Sequence, residues 1–280
     1  MTAAPPRPAP PRRLRRAASA LFALGVAVFF YAWQVEPRRL VIQRDTLSGT
    51  GIPAIDIAIV ADLHHGMHPT GDDRVREVVA RVNALGADVI VLLGDYHATA
   101  GLVEDVPPER TARLLGALRA PLGVYAVLGN HDHWKDAPRT ERALTAAGLR
   151  VLENRGQMIP GRRVWLAGLS DDFSSLPDER EALRGAPEDV PVIAITHSPD
   201  VFPRLTTRVA LTLAGHTHGG QLLLPFIGAP WVPSHFGQAY LRGVYRRGHR
   251  ALYVSSGVGQ SIVPLRFRVP PEVNLLRVRP

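Results

Sequence analysis

Short apolar runs that stop abruptly at polar residues recur along this chain, and their spacing predicts its architecture. Residues 55–61 are apolar apart from Asp56 and stop at Asp62-Leu63-His64-His65. Residues 88–93 stop at Gly94-Asp95, and residues 124–128 at Gly129-Asn130-His131-Asp132. Residues 190–196 deliver His197, and residues 209–214 deliver Gly215-His216-Thr217-His218. Such runs, rich in β-branched residues, read as buried strands. Between them Val75, Val78, Val79 and Val82 recur at helical spacing, predicting a helix over 72–85 with Asp72 as its cap. Further helices are expected over 109–118 and 138–147, and further strands over 40–47, 150–154 and 163–169. The late segments 221–224, 239–245, 251–255 and 272–278 are short and turn-separated, which predicts an antiparallel sheet. The fold class is α/β: a two-sheet β-sandwich flanked by helices.

The chain has 280 residues, enough for one large α/β domain, and shows no internal repeat. It has no cysteine, which excludes disulfides and Cys-based zinc sites. The formal net charge is +8. Residues 1–44 hold eight arginines against the single acid Glu36, so the remaining chain is nearly neutral and carries no nucleic-acid footprint. No nucleic-acid partner is expected, and the chain is expected to act as a monomer.

The amino terminus supplies that charge. Residues 1–16 read as a basic, Pro- and Arg-rich disordered tail. Residues 17–35 are apolar except for Ser19 and Gln34. At ~1.5 Å per residue they approach the ~30 Å hydrocarbon core of a bilayer. Tyr31 and Trp33 fall where aromatic residues favour the interface, and no small-x-small cleavage site follows. The expectation is an uncleaved, single-pass anchor in the cell membrane. Five arginines precede it and Arg38, Arg39 and Arg44 follow, which leans the body of the protein to the extracytoplasmic side. Residues 36–54 are then a linker and first strand, and 55–280 the catalytic domain.

The strand ends carry the chemistry. Two aspartates, one asparagine and four histidines (Asp62, His64, Asp95, Asn130, His197, His216, His218) are expected to converge as metal ligands. Glycines before Asp95, Asn130 and His216 let the backbone turn close to a small site. On extended backbone, residues two apart point the same way, so Asp62 and His64 can share one ion, as can His216 and His218. Seven donors are too many for one tetrahedral zinc and suit two divalent ions bridged by a carboxylate, with Asp95 the natural bridge. Manganese is the first choice, with iron, zinc or magnesium also compatible. Two ions ~3.5–4 Å apart generate a bridging hydroxide and neutralise phosphoryl oxygens, while His131 donates a proton to the leaving oxygen. That chemistry is phosphoester hydrolysis.

Other positions read more plainly. His65, His97 and His133 are expected to support the ligands from behind, and His68, His235 and His249 to lie on the surface or in loops. Ser170-Asp171-Asp172 reads as a cap or turn before a cleft lining. Residues 225–236 carry Phe226, Ile227, Trp231, Val232 and Phe236. Packing onto the core is the ordinary reading of that loop, and an apolar lip for an acyl chain or the bilayer the sharper one.

Asp-x-His, Gly-Asp, Gly-Asn-His-Asp, a lone His and Gly-His-x-His, in that order, resemble the calcineurin-like metallophosphoesterase superfamily from about residue 55 to the carboxyl terminus. The resemblance implies its four-layer α/β/β/α fold. It also implies one metal held by Asp62, His64, Asp95 and His218. A second would be held by Asp95, Asn130, His197 and His216, with His131 as the acid. Gly94-Asp95-Tyr96, His131-Asp132-His133-Trp134, residues 215–221 and the anchor resemble a bacterial branch of membrane-associated phosphodiesterases. Some of that branch are pyrophosphatases acting on UDP-2,3-diacylglucosamine. The superfamily's protein serine/threonine phosphatases carry Asp-Arg-Gly after Gly-Asp, where this chain has Tyr96-His97-Ala98-Thr99. His65 and His97 depart from the apolar residues of the branch. The expected function is a phosphodiesterase or pyrophosphatase acting on a lipid-linked or nucleotide-lipid phosphoester at the membrane. The alternatives are hydrolysis of soluble nucleotides or cell-wall phosphoesters, and a catalytically silent metal-binding scaffold.

Overall fold

A computed structural model describes residues 12–101 and 103–280. The tail expected at 1–16 therefore lies mostly outside the described residues, and its last five residues open a helix instead. That helix, α1 (Arg12–Phe30), continues through a wide turn at Tyr31–Val35 and a tight one at Glu36–Arg38. It is long and apolar enough to cross a membrane and is almost wholly exposed.

The strands that follow are β1 (Val41–Leu47), β2 (Ile55–Val60), β3 (Val89–Leu92), β4 (Val124–Ala126), β5 (Arg150–Val151) and β6 (Arg155–Met158). Next come β7 (Trp165–Gly168), β8 (Val192–Ile195), β9 (Val209–Ala214), β10 (Gly243–Arg247), β11 (Arg250–Val254) and β12 (Glu272–Val278). Helices α2 (Asp72–Asn83), α3 (Pro108–Leu115), α4 (Asn130–Ala146) and α5 (Glu179–Ala182) connect them. The strands form two six-stranded sheets, ordered β1-β12-β2-β3-β4-β5 and β10-β11-β9-β8-β7-β6.

The alternation of strand side chains builds the layers. Ile57 and Ile59 face the second sheet, packing in one cluster with Val91, Tyr125, Ile193 and Leu211. Their neighbours Ala58 and Val60 face α2, α3 and α4 through Val75, Val78, Ala112 and Leu144. On the outer face of the second sheet, Trp165, Ala167, Val192 and Ala194 pack on Ala182 of α5. Helices, sheet, sheet and a thin helical layer follow in order, which is the expected sandwich.

Four local expectations are corrected. The late strands are not simply antiparallel: β11 runs parallel to β9, and β12 is parallel to β1 but antiparallel to β2. Because β12 inserts between two strands of the first sheet, it is buried along most of its length. Residues 221–224 make only single bridges, Leu222 to Phe267 and Leu224 to Gly228, where Pro225 prevents a continuing ladder. Helix α2 is capped by Gly71 rather than Asp72, whose carboxylate instead meets His65 and Arg110. Helix α4 begins at Asn130, eight residues early, and kinks at Asp136 just before Pro138. The expected 138–147 helix is its second half.

Candidate metal centre

The five strand ends meet at the carboxyl-terminal edge of the sandwich. The turn after β2 carries Asp62 and His64, and the turn after β3 carries Asp95. Gly129 leads from β4 into α4, whose first residues are Asn130 and His131. His197 follows β8, and His216 and His218 follow β9. All eight side chains are buried. Gly94, at φ +87°, lies against the backbone of Gly129, and an added Cβ there would collide with it. This close approach sets Asp95 beside Asn130. A Cβ on Gly215 would come within 2.6 Å of Asp62 Oδ2.

The backbone here is not extended. Asp62, His64, Asp95, His216 and His218 all adopt left-handed φ, from 46° to 69°. Bulkier non-glycine residues rarely enter this region, and such strain persists where surrounding contacts enforce it. Turning at each residue separates the pair expected to act together at the carboxyl-terminal motif. His218 joins Asp62 and His64 in one group, whereas His216 joins Asp95 and His197 in another. A third, overlapping group contains His64, Asp95 and His131.

Individual atoms define the centre. Nε2 of His64 lies 3.2 Å from Nε2 of His218 and 3.4 Å from Asp95 Oδ2. His218 Nε2 is 3.7 Å from Asp62 Oδ1. Across the carboxylate, His197 Nε2 is 3.3 Å from the same Asp95 Oδ2, 3.1 Å from Asn130 Oδ1 and 3.0 Å from His216 Nδ1. His197 Nδ1 donates to the Leu93 carbonyl at 2.7 Å, which leaves Nε2 pointing inward.

This donor set fits divalent cations. Burial lowers the pKa of His64 and His218 well below the usual imidazole range, assisted by the neighbouring rings, so their nitrogens offer lone pairs. Burial likewise holds His216 down to about 3, and pushes Asp62 up to about 7. Among the described residues, Asp62 and Asp95 form ion pairs with histidines only. Buried imidazole nitrogens, and carboxylates whose only ionic partners are histidines, are costly to hold together unless a cation meets them.

Several residues to which sequence reasoning gave no place among the ligands support the centre. Asp132 accepts the backbone N–H of Gly129, Asp95 and Tyr96 at 2.8–2.9 Å, tying two site loops together. It takes the N–H of Gly129, the residue before α4, from three positions on, which is only half of a capping box because glycine has no side chain to return the bond. Thr99 Oγ1 is 2.6 Å from His131 Nδ1, and Ser261 Oγ is 3.2 Å from His131 Nε2. Trp134 lies over His131 and Phe173 over His216, with ring centroids 4.7 and 4.9 Å apart. Nothing in the local sequence marks Ser261 or Phe173.

The remaining histidines have other partners. His65 pairs with Thr111 and Asp72, and His97 reaches the same Thr111 hydroxyl. His133 faces Glu153 at 4.0 Å. His68, His235 and His249 are exposed. Asp171 accepts the N–H of Phe173 and Ser174, the turn expected there, which presents the Phe173 ring to the site.

The family model of calcineurin-like phosphoesterases matches residues 55–220. The chain is 31% identical over 258 residues to the uncharacterized metallophosphoesterase YkuE of Bacillus subtilis, covering 89% of each. It is 30% identical over 237 residues to the phosphodiesterase YaeI of Escherichia coli, covering 79% of this chain and 81% of that protein. A Danio rerio transmembrane protein with metallophosphoesterase domain is 29% identical over 78% of this chain, which spans only 52% of that longer protein. Among solved structures, a 5'-nucleotidase precursor from Thermus thermophilus aligns over 80% of this chain and 55% of its own, at TM-score 0.47 and 15% identity. The chain belongs to the calcineurin-like phosphoesterase family of metal-dependent phosphoester hydrolases.

Proposed function

We propose that this protein is a membrane-tethered phosphodiesterase or pyrophosphatase that uses two divalent cations. One cation would be held by Asp62, His64, Asp95 and His218, and the other by Asp95, Asn130, His197 and His216. The observation that carries this reading is the position of Asp95 Oδ2, 3.4 Å from His64 Nε2 and 3.3 Å from His197 Nε2, between a member of each group. When bound, such ions activate water and neutralise the phosphoryl oxygens.

The chain's own residues do the rest. His131, buried at the wall of the cavity that Asp95, Asn130 and His216 also line, is placed to give a proton to the departing oxygen. Thr99 holds its Nδ1, which directs Nε2 toward Ser261 and the cavity. Phe173 and Trp134 line the same cavity and cover His216 and His131.

An apolar substrate moiety has a place beside this chemistry. A cavity of about 330 Å³, walled by Leu222, Pro230, Trp231, Ile262 and Val263, shares His218, Trp231 and Ser261 with the site cavity. This supports a lipid-linked or nucleotide-lipid phosphoester, such as a UDP-linked diacyl sugar, presented at the surface of the cell membrane. Helix α1 would be the single-pass tether, with the body of the protein extracytoplasmic by its flanking arginines.

The test is a substrate panel on the full chain in nanodiscs, loaded with manganese. A UDP-linked diacyl sugar should be turned over with higher kcat/KM than bis(p-nitrophenyl) phosphate or cyclic nucleotides. Equal or lower kcat/KM on the lipid would contradict the lipid substrate, and no hydrolysis with any divalent metal would contradict the whole reading.

A further inference from the structure

We propose that residues 222–228 form a finger that enters the same bilayer leaflet as the carboxyl-terminal end of α1, so that the protein touches the membrane at two points. The proposal rests on the reading of α1 as a membrane anchor, and it adds a contact that the anchor alone does not require.

The finger is built to expose apolar side chains. Leu224 and Gly228 exchange two backbone hydrogen bonds, at 2.9 and 3.0 Å, closing a tight loop over Pro225, Phe226 and Ile227. Phe226 sits at the tip with φ 66° and is fully exposed, and Ile227 is 65% exposed. A bulky aromatic residue in left-handed backbone is a genuine outlier, and no packing contact covers this one. Ile262 and Val263 lie beside the finger's base, also exposed, at 49% and 40%. An apolar patch of this kind marks an interaction surface.

Its location chooses the partner. Leu223 N–H donates to the Phe267 carbonyl, and Phe267 N–H to the Gln221 carbonyl, at 2.9 and 3.0 Å. The Phe267 ring meets Tyr31 edge-on at 6.4 Å, and Arg266 N–H donates to the Ala32 carbonyl at 2.9 Å. Tyr31 and Ala32 directly follow α1. The finger is therefore fixed, through one intervening residue, to the end of the one described helix able to span a bilayer.

Charge points the same way. Arg268 is exposed next to Phe267, and exposed Arg39 donates to the hydroxyl of Tyr31, the ring that Phe267 meets, at 3.1 Å. Exposed guanidinium groups beside the anchor are attracted to anionic headgroups, while the apolar tip partitions below them.

The chain has no cysteine, so single labels can be placed on the intact protein. Phe226→Cys and Ile227→Cys would each carry a nitroxide on the full chain in phosphatidylcholine–phosphatidylglycerol nanodiscs. Glu188→Cys, an exposed site before β8 and so at the opposite end of that strand from His197, is the control. The expected result is that oxygen relaxes the labels at 226 and 227 more than a water-soluble nickel chelate does, with the order reversed at 188. Nickel access at 226 matching that at 188 would overturn the proposal. So would a label immobilised and shielded from both reagents, which would mean a protein partner. The readout needs no turnover: a lipid-exposed finger on an enzyme indifferent to lipid-linked substrates would contradict the substrate reading alone.

Discussion

The hydroxyl of Thr99, in the loop after β3, lies 2.6 Å from Nδ1 of His131, in the first turn of α4 and 32 positions along the chain. This contact fixes the ring and leaves Nε2 to face the cavity. His131→Ala should keep its metal yet slow turnover by ~10²–10⁴-fold, the usual worth of a general acid. Thr99→Val should lower kcat by roughly tenfold with KM little changed, because a misoriented ring costs part of the same contribution. Steady-state kinetics on bis(p-nitrophenyl) phosphate with metal analysis separate the two, and wild-type kcat in His131→Ala would remove its role.

Asp132 holds three backbone N–H groups from two site loops while facing no ligand nitrogen. Such hydrogen bonds are worth about 0.5–1.5 kcal/mol each, and a buried donor left without its partner costs about 1–3 kcal/mol. Asp132→Ala should therefore lower Tm markedly and weaken metal binding, although the residue is not itself a proposed ligand. A thermal scan with and without manganese checks this; an unchanged Tm would show that other contacts hold the loops.

Glu153 accepts the Leu128 N–H at 2.8 Å, and burial pushes its carboxyl up from an ordinary 4.5 to about 7. Between those values the native chain keeps a proton that the unfolded chain has released, so stability falls as pH rises through that window. Glu153→Gln should remove this loss. Its Tm should exceed that of the wild type at about pH 8 and match it at about pH 5; a pH-independent difference would contradict the assignment.

Leu222 and Val263 wall the apolar cavity and do not line the site cavity. Leu222→Ser and Val263→Ser should raise KM for a lipid-linked substrate several-fold and leave hydrolysis of bis(p-nitrophenyl) phosphate unchanged. Equal losses on both substrates would place these residues in general packing.

What the sequence reveals and what it hides have physical causes. The strands β2, β3, β4, β8 and β9 are legible because strands covered on both faces must be apolar throughout, so each polar strand end stands out. The early start of α4 is hidden because glycine and a carboxylate cap it, with no apolar periodicity to mark its first turn. The division of labour between His216 and His218 is not legible from extended spacing, because φ of 69° and 51° turns them to different groups. Ser261 reaches His131 across 130 positions of chain, a relationship that no local pattern carries.

The central claim is that Asp95 joins two cation sites. Anomalous diffraction from crystals of the manganese-loaded protein tests it most directly. The account predicts two peaks flanking the Asp95 carboxylate, one beside Asp62, His64 and His218 and the other beside Asn130, His197 and His216. A single peak, or peaks away from Asp95, would contradict it.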